Sequence, residues 1–364
     1  MGFFEAGQVM KNILLGLDTV ELRALMQEEG ELPYRGSQLA EWIYRRGART
    51  FDDMSSLPAT LKTKLTQKYE VGRSDILATK QSHDGTIKLL LEMKDGARIE
   101  TVGLPYADRF SCCLSTQVGC SIGCIFCASG QGEFVRNLQS GEIVEQVLTL
   151  HEMIKSGIVP ISSRSHRIDH IVIMGMGEPL LNYNSTIKAV QLINNEIGIG
   201  VRHITLSTVG IIPGILKLTE EKLQVTLAVS LHAPTDELRK KLIPGMTRWG
   251  IAEIIDASRE YVRKTGRRIT FEYCMLDGLN DGMAEACELA GIMTGLNCHV
   301  NLIRYNPVSD LPFRAPSEAR VRMFREILHS AGIQVTQRVQ RGADIDAACG
   351  QLRRRMEKLQ TCSR

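Results

Sequence analysis

From about residue 111 onward, the sequence alternates short β-rich runs with helical stretches, and this alternation constrains the fold more than any other feature. Such alternation is typical of βα units arranged around a parallel sheet. The candidate strands cover residues 112–117, 171–174, 204–207, 225–230, 269–273, 300–304 and 335–338. Six or seven units predict an α/β fold with a complete or partial TIM-like βα barrel. An open doubly wound sheet is the alternative.

Two further regions precede this alternation. Residues 1–75 carry helical signals, among them Asp18-Thr-Val-Glu21, in which a capping residue is followed by an acid three positions later. Three strand-like runs follow at 76–81, 86–93 and 97–104, separated by the turn pairs Asp84-Gly85 and Asp95-Gly96. We therefore predict an N-terminal helical accessory domain (1–75) and a core (76–364) that includes an antiparallel β meander (76–105).

The composition restricts the partners and the cellular compartment that we expect for the chain. The formal charge of +3 is only mildly basic, so an RNA partner has to be argued from local patches. No apolar run approaches the roughly 20 residues of a membrane span, and MGFFEAG is unlike a signal peptide. We expect a cytoplasmic protein with no membrane partner. Its ten cysteines then favour metal or redox chemistry over a disulfide framework.

A cysteine cluster supports this interpretation. Cys120, Cys124 and Cys127 have C-x3-C-x2-C spacing, directly after a candidate strand and among several glycines. Three thiolates suit a 4Fe-4S cluster and leave one of its four irons without a protein ligand. Radical S-adenosylmethionine (SAM) enzymes use that open iron for the amino and carboxylate groups of SAM. A structural zinc site is the simpler alternative, although such sites are normally closed by four ligands.

Several segments beyond the cysteine cluster resemble the RlmN/Cfr family of radical SAM RNA methyltransferases, most closely its RlmN branch. They are Cys113-Leu-Ser-Thr-Gln-Val-Gly-Cys120, Arg136-Asn137-Leu138, Met174-Gly-Met-Gly-Glu-Pro-Leu-Leu-Asn182, Thr205-Leu-Ser-Thr208 with Gly210, Ser230-Leu-His-Ala-Pro234, and Asp344-Ile-Asp-Ala-Ala-Cys-Gly-Gln-Leu352. The resemblance implies a radical SAM type of partial barrel. It also implies an enzyme that forms 2-methyladenosine in 23S rRNA and in tRNA next to the anticodon.

The same resemblance implies roles for three catalytic residues. Cys349 would receive a methyl group from one SAM, and a 5′-deoxyadenosyl radical from a second SAM would take a hydrogen from it. The methylene would then join the adenine ring to Cys349. Cys113 would release the RNA by forming a transient disulfide with Cys349, and Glu100 would accept the ring proton. Without the resemblance, Cys349 reads as a buried structural cysteine and Glu100 as an exposed strand residue.

Cofactor and partner assignments also follow from the resemblance. The cofactors would be a 4Fe-4S cluster held by the three cysteines and SAM, which acts as methyl donor and radical source. Partners would be 23S rRNA, tRNA and an electron donor such as flavodoxin or ferredoxin. The SAM site would comprise residues near strand ends, where a barrel gathers its active site: Gly177, Glu178, Ser207, Ser230, Leu231, His232 and Asn306.

Other functions stay open at this stage. Arg304 and Tyr305 look more like the Cfr branch, which methylates carbon 8 of the same adenosine and confers antibiotic resistance. A non-catalytic iron-sulfur RNA-binding factor and a protein-activating radical SAM enzyme leave Cys113 and Cys349 unexplained. Two basic patches are candidate RNA contacts and equally candidate solvated helix faces. They are Arg45, Arg46 and Arg49, and Arg353, Arg354 and Arg355.

Overall fold

The computed structural model describes residues 11–159, 167–246, 248–308 and 311–345. Cys349 and the basic residues 353–355 lie outside this described part. The α-helices are α1 (Thr19–Glu28), α2 (Tyr34–Ala40), α3 (Ala59–Lys68), α4 (Ser140–Lys155), α5 (Tyr183–Leu192), α6 (Ile212–Glu220), α7 (Asp236–Leu242), α8 (Ile251–Thr265), α9 (Met283–Met293) and α10 (Glu318–Ser330). Short π-helical turns extend α2 and α5 at Glu41–Arg46 and Ile193–Ile197.

Nine of the predicted strands agree closely with the structure, and four short strands were not predicted. The described residues form fourteen strands. They are β1 (Asn12–Ile13), β2 (Tyr69–Glu70), β3 (Asp75–Gln81), β4 (Ile87–Glu92), β5 (Arg98–Pro105), β6 (Phe110–Cys113), β7 (Gln117–Val118), β8 (Arg136–Asn137), β9 (His170–Ile173), β10 (Ile204–Thr208), β11 (Thr226–Ser230), β12 (Ile269–Met275), β13 (Cys298–Arg304) and β14 (Gln334–Gln337). The prediction of one strand over 112–117 was wrong in extent. The chain leaves the sheet after Cys113, because Gln146 on α4 takes over the hydrogen bonds of the Ser115 backbone.

In the N-terminal region, the predicted start of α1 is confirmed. The Asp18 carboxylate accepts hydrogen bonds from the backbone N–H groups of Val20 and Glu21 at 3.0 and 2.9 Å. Glu21 in turn accepts from the Asp18 N–H at 2.8 Å. This reciprocal pair satisfies donors that the first helical turn otherwise leaves unpaired. Its sequence signal therefore reflects a real constraint on where the helix begins.

Across the described residues, ten strands form one mixed sheet in the order β14-β13-β12-β11-β10-β9-β6-β5-β4-β3. Strands β3 to β6 pair antiparallel, and β6 pairs parallel with β9, after which every neighbour up to β14 is parallel. The predicted meander therefore continues directly into the parallel sheet. Seven parallel strands with intervening helices confirm the α/β fold with a partial βα barrel.

Hydrogen bonds join the two ends of the sheet, at the turn after β3 and in the chain after β14. Asp84, in the turn between β3 and β4, accepts a hydrogen bond from the Gly342 N–H, beyond β14, at 2.9 Å. Asp344 accepts from the Ser82 hydroxyl and, at 3.1 Å, from the His83 N–H. The chain that leads toward Cys349 is thus anchored to the β3–β4 turn. We call residues 342–344 the anchored segment.

A network of buried charges connects the N-terminal helices to α4. Arg73 and Glu145 form an ion pair at 2.5 Å, with exposed side-chain fractions of only 2% and 1%. Glu145 also accepts from the N–H and hydroxyl of Ser74, both at 3.1 Å. Glu152, further along α4, pairs with Arg73 at 3.1 Å and with Arg49 at 2.9 Å. Arg49, one of the predicted RNA-contacting residues, is therefore engaged within the protein.

In the described part of the chain, no helix combines the length and the apolar composition needed to cross a bilayer.

Candidate active site

The loop after β7 carries Cys120, Cys124 and Cys127. All three thiols are free and partly buried, and the Cys127 N–H donates to the Cys124 carbonyl at 3.1 Å. Gly119 opens the loop with a φ of +80°, and a Cβ at this position would lie 2.0 Å from the Glu133 carbonyl oxygen. Only glycine allows the two sides of the loop to approach this closely. The loop therefore turns its three thiols toward one cavity.

The surroundings of Cys120 and Cys124 oppose ionisation of these two thiols in the absence of a positive partner. Burial raises the pKa of the Cys120 thiol to about 11, and the neighbouring Cys127 adds to the increase. Burial also raises the pKa of Cys124 well above its usual range, again with help from Cys127 and then Cys120. An iron-sulfur cluster binds thiolates and supplies the positive charge that three converging sulfurs lack. The donor set thus fits the group implied by the sequence.

The geometry around the thiols differs from that of a single-ion site. In the residues that the structure describes, no three His, Cys, Asp or Glu side chains converge as they would around one metal ion. A 4Fe-4S cluster instead distributes its ligands over separate irons. The first cavity, of about 270 Å³, is lined by all three cysteines together with Gly177, Glu178, Ser207, Ser230 and His232. The structure thus brings the predicted metal ligands and most of the predicted SAM residues together.

Gly177 and Glu178 form the floor of this first cavity, after β9. Gly177 has a φ of +100°, and a Cβ there would lie 2.5 Å from the Gln117 Cβ. The Glu178 carboxylate accepts hydrogen bonds from the N–H groups of Leu180 and Val209 at 2.9 and 2.8 Å. Burial nevertheless raises the pKa of Glu178 to about 7. A buried carboxyl of this kind favours a cationic partner such as an ammonium group.

Hydroxyl and imidazole groups from β10 and β11 complete the wall of the first cavity. The hydroxyl oxygens of Ser207 and Ser230 lie 3.2 Å apart. The His232 Nδ1 accepts from the Cys274 N–H at 3.0 Å, and burial lowers the pKa of His232 to about 3, so the ring is neutral. Its edge-on contact with Phe126, at 5.1 Å between ring centroids, connects this wall to the cysteine loop.

Two other residues predicted for the SAM site take different positions. Leu231 is fully buried, and its N–H donates to the Glu272 carbonyl at 3.1 Å. Asn306 lines the neighbouring second cavity, where its amide oxygen accepts from the Gln340 side chain at 3.0 Å. The two cavities share Phe126, Cys127, Met174, Gly175, Cys274, Ile303 and Arg338. Asn306 is therefore adjacent to the other predicted SAM residues through a continuous space.

The second cavity, of about 290 Å³, brings Cys113 and Glu100 together. Cys113 ends β6, and Glu100 lies on β5 with an exposed fraction of 3%. Burial raises the pKa of the Cys113 thiol, and the nearby positive charge of Arg338 opposes the increase. Glu100 forms an ion pair with Lys88 at 3.2 Å. A thiol and a carboxylate thus lie beside the cysteine loop. Cys349, the third predicted catalytic residue, lies outside the described residues.

Sequence reasoning missed several residues that the structure places at the two cavities. Glu272 interrupts the apolar run of β12 and lines the first cavity, where its carboxylate accepts from the Asn301 amide at 2.9 Å. Arg338 and Cys274 line both cavities, and burial raises the pKa of Cys274 to about 12. A charged residue within an otherwise buried strand was the available signal for Glu272. Cys274 had no motif, and only the fold reveals its position.

Comparisons with known protein families agree with this geometry. Residues 11–71 match the "Ribosomal RNA large subunit methyltransferase N-terminal domain" family, and residues 114–290 match the "Radical SAM superfamily". The first match covers the helices that precede the sheet. The second covers the cysteine loop and most of the parallel strands. The two family matches thus include both the N-terminal helices and residues that line the cavities.

Individual proteins resemble the chain over nearly its whole length. A "Probable dual-specificity RNA methyltransferase RlmN" from Thermosynechococcus vestitus is 46% identical over 94% of this chain and 98% of the relative. One of the same name from Gloeobacter violaceus is 45% identical over 95% and 96%. The crystal structure of a radical SAM methyltransferase from Sphaerobacter thermophilus superposes with a TM-score of 0.88 at 44% identity, covering 93% of this chain and 98% of that one. The chain therefore belongs to the RlmN family of radical SAM RNA methyltransferases.

Proposed function

We propose that this enzyme forms 2-methyladenosine at two kinds of site, in 23S rRNA at the peptidyl transferase centre and in tRNA just 3′ of the anticodon. The relatives named above are dual-specificity RNA methyltransferases, which supports two RNA substrates. The observation that carries the proposal is the second cavity. It places the Cys113 thiol and the Glu100 carboxylate beside the cavity of the three cysteines.

Residues of the first cavity would bind the cofactors. Cys120, Cys124 and Cys127 would ligate three irons of a 4Fe-4S cluster and leave the fourth for SAM. When bound, these cofactors supply the methyl group and a 5′-deoxyadenosyl radical. The Glu178 carboxylate would accept the ammonium group of SAM, and the hydroxyls of Ser207 and Ser230 would face its polar portion. Gly177 and His232 would shape the remaining surface of this cavity, Asn306 would contact SAM from the adjoining second cavity, and the fully buried Leu231 would support the site from behind.

Residues of the second cavity, together with Cys349, would carry out the steps that involve the RNA. In this proposal Cys349 carries the methyl carbon to the adenine and remains joined to the RNA through it. The Cys113 thiolate then attacks the Cys349 sulfur, so that an S–S bond forms while the bond between sulfur and the transferred carbon breaks. The electron pair of the broken bond passes to that carbon, which takes up a proton to complete the methyl group. Glu100 accepts the proton that leaves ring carbon 2. Cellular thiols would reduce the resulting disulfide before the next turnover.

The proposal also defines partners and location. Reduction of the cluster requires a one-electron donor, for which flavodoxin or ferredoxin is suitable. The RNA substrates place the reaction in the cytoplasm. Arg45, exposed at the end of the π-helical turn, could contact RNA phosphates, whereas Arg46 already pairs with Glu41 at 2.6 Å. The target adenine has to leave its stack to reach a cavity lined by buried side chains.

Nucleoside mass spectrometry tests this function. The gene is expressed in a bacterial strain that lacks its own enzyme of this family, and 23S rRNA and tRNA are digested and analysed separately. We expect 2-methyladenosine in both pools, and none in a matched strain that expresses Cys349→Ala. Appearance of 8-methyladenosine would instead identify a Cfr-like enzyme. Binding of RNA with no methylated product would indicate a non-catalytic factor.

A further inference from the structure

We propose that Lys88 is a positioning residue for the reaction: its ammonium group orients the Glu100 carboxylate and balances the negative charge that Glu100 carries before it accepts the proton from the adenine ring. This inference rests on the function proposed above. It adds a residue that the sequence motifs did not single out. The two side chains belong to neighbouring antiparallel strands, and their contact is the observation that carries the argument.

The pair is close and almost entirely removed from water. The Lys88 Nζ lies 3.2 Å from a Glu100 carboxylate oxygen, and the exposed side-chain fractions are 0% and 3%. In the register of β4 with β5, Leu90 pairs with Glu100 and Lys88 pairs with Val102. Lys88 and Glu100 are therefore diagonal neighbours on one face of the sheet, within reach of a long side chain.

Only one member of the pair faces the reaction space. Glu100 lines the second cavity together with Cys113, whereas Lys88 is fully buried in the same sheet next to Glu100. The Glu100 carbonyl accepts from the Ser115 hydroxyl at 2.6 Å, and the Ser115 oxygen accepts from the Met176 N–H at 2.9 Å. The backbone of Glu100 is thus fixed from one side, and its carboxylate is fixed by Lys88 from the other.

Stability alone does not explain such a pair. Burying two charges costs several kcal/mol each in lost hydration, and well-packed apolar residues of similar volume are often equally stable. Lys88 interrupts the apolar strand Ile87–Glu92, where Ile87, Leu89, Leu90 and Leu91 are buried. A lysine at this position is better explained by the carboxylate it contacts, because that carboxylate lines the cavity in which a proton has to be accepted.

The chemical step is a proton transfer. In the covalent adduct between the RNA and the protein, the bond between ring carbon 2 and its hydrogen breaks, and its electron pair stays on the adduct. The proton goes to a Glu100 carboxylate oxygen, so the step itself needs no oxidant. Transfer from carbon requires a carboxylate held at a defined position. The buried ammonium group of Lys88, which lies outside the cavity, holds the Glu100 carboxylate at that position.

The test uses the reconstituted holoenzyme with SAM, a reductant and an rRNA fragment. It measures 5′-deoxyadenosine and 2-methyladenosine separately, because the first product does not depend on Glu100. For Lys88→Met we expect 5′-deoxyadenosine within about twofold of the wild type. We expect 2-methyladenosine to fall by roughly 10²-fold, the lower end of general-base contributions. Lys88→Arg should recover at least a tenth of wild-type methylation. Lys94→Met, a matched change at an exposed lysine of the same hairpin, should retain wild-type methylation.

A double variant separates this role from a structural one. Lys88→Met/Glu100→Gln removes both members of the buried ion pair together, so it keeps the inference testable if Lys88→Met alone does not fold. If Lys88 acts through Glu100, the double variant should methylate as much as Glu100→Gln alone. The inference would be overturned if the two substitutions multiplied each other's loss of methylation. It would also be overturned if the double variant lost 5′-deoxyadenosine and 2-methyladenosine equally. A wild-type enzyme that makes no 2-methyladenosine would instead overturn the proposed function.

Discussion

In the proposed mechanism Cys113 attacks the Cys349 sulfur as its thiolate, and the surroundings of Cys113 determine how much thiolate forms. Burial raises the pKa of this thiol above its ordinary value, while the positive charge of Arg338 lowers it again. Since the raised pKa lies above neutral pH, the thiolate fraction and the release of RNA should increase as the pH rises from 7 to 9. In Arg338→Gln the half-maximal rate should move to a higher pH, because the positive charge that lowers the pKa of the Cys113 thiol is gone.

The measurement is the decay of the RNA–protein crosslink at a series of pH values. Arg338→Lys serves as the control, since it keeps the positive charge and should leave the pH dependence close to that of the wild type. A crosslink in Arg338→Gln that decays with the wild-type pH profile would show that Arg338 does not act on Cys113.

Removal of the Cys113 thiol itself should stop the reaction after the covalent step. Cys113→Ala is expected to accumulate an RNA–protein crosslink, because no second thiol then attacks the Cys349 sulfur. Cys349→Ala should form no crosslink at all. Denaturing gel electrophoresis with labelled rRNA detects the shifted band. An active Cys113→Ala enzyme without a crosslink would exclude the resolving role. Cys112→Ala, a change at the adjacent buried cysteine, is the matched control.

Among single residues, sequence reasoning was informative wherever a short motif carried the chemistry. Cys120, Cys124 and Cys127 could be assigned to a cluster because their spacing alone restricts the alternatives. Lys88 could not be found in this way. It gives no local pattern, and its contact with Glu100 is visible only when the register of β4 with β5 places the two residues together.

At the scale of elements, the anchored segment fixes the chain that follows β14 against the turn between β3 and β4. Asp84 accepts from both the Thr86 N–H, within its own turn, and the Gly342 N–H, each at 2.9 Å. In Asp84→Ala the Gly342 amide loses its acceptor. We expect its hydrogen exchange to accelerate by about fivefold, as for the loss of one hydrogen bond of roughly 1 kcal/mol.

Hydrogen exchange followed by mass spectrometry on peptides that cover residues 334–345 provides the measurement. Methylation should fall in parallel, because Cys349 lies only seven residues beyond Gly342 in the sequence. Asp95→Ala, in the turn between β4 and β5, is the control and should leave this segment unchanged. Exchange that is equal in Asp84→Ala and the wild type would contradict the anchoring role.

Element boundaries were predictable where turn chemistry and strand alternation coincide. The pairs Asp84-Gly85 and Asp95-Gly96 fall between β3, β4 and β5 as expected. By contrast, the short pairing of β7 with β8 and the bonds of Asp344 to Ser82 and His83 had no sequence signal. Such contacts join residues that are far apart along the chain, and local propensity contains no information about them.

For the whole molecule, the sequence predicted a barrel and a cluster, and the structure showed how distant segments build one site. The second cavity takes Glu100 from the antiparallel part of the sheet, Cys113 from the junction and Arg338 from the far parallel end. The resemblance supplied the roles of these cysteines and of Glu100 without their positions. These residues come together in one cavity because the whole chain packs around them, and no single motif encodes that packing.

A buried ion pair between Arg73 and Glu145 contributes to the attachment of the N-terminal region to α4. Glu145→Ala would leave the Arg73 guanidinium buried without its 2.5 Å partner. Removal of one member of a buried pair typically costs about 3–5 kcal/mol. Glu152→Ala is the matched control on the same helix. It removes a carboxylate that is 46% exposed, so its loss should cost less than about 1 kcal/mol.

Denaturant unfolding followed by circular dichroism measures both changes in the free energy of unfolding. Because Arg73 follows the N-terminal helices directly and Glu145 lies on α4, we expect Glu145→Ala to release that region first, as a separate early transition. Residues 11–71 should then become sensitive to proteolysis at denaturant concentrations where the sheet is still folded. Equal destabilisation by Glu145→Ala and Glu152→Ala, in one shared transition, would show that hydrophobic packing rather than this ion pair holds the two parts together.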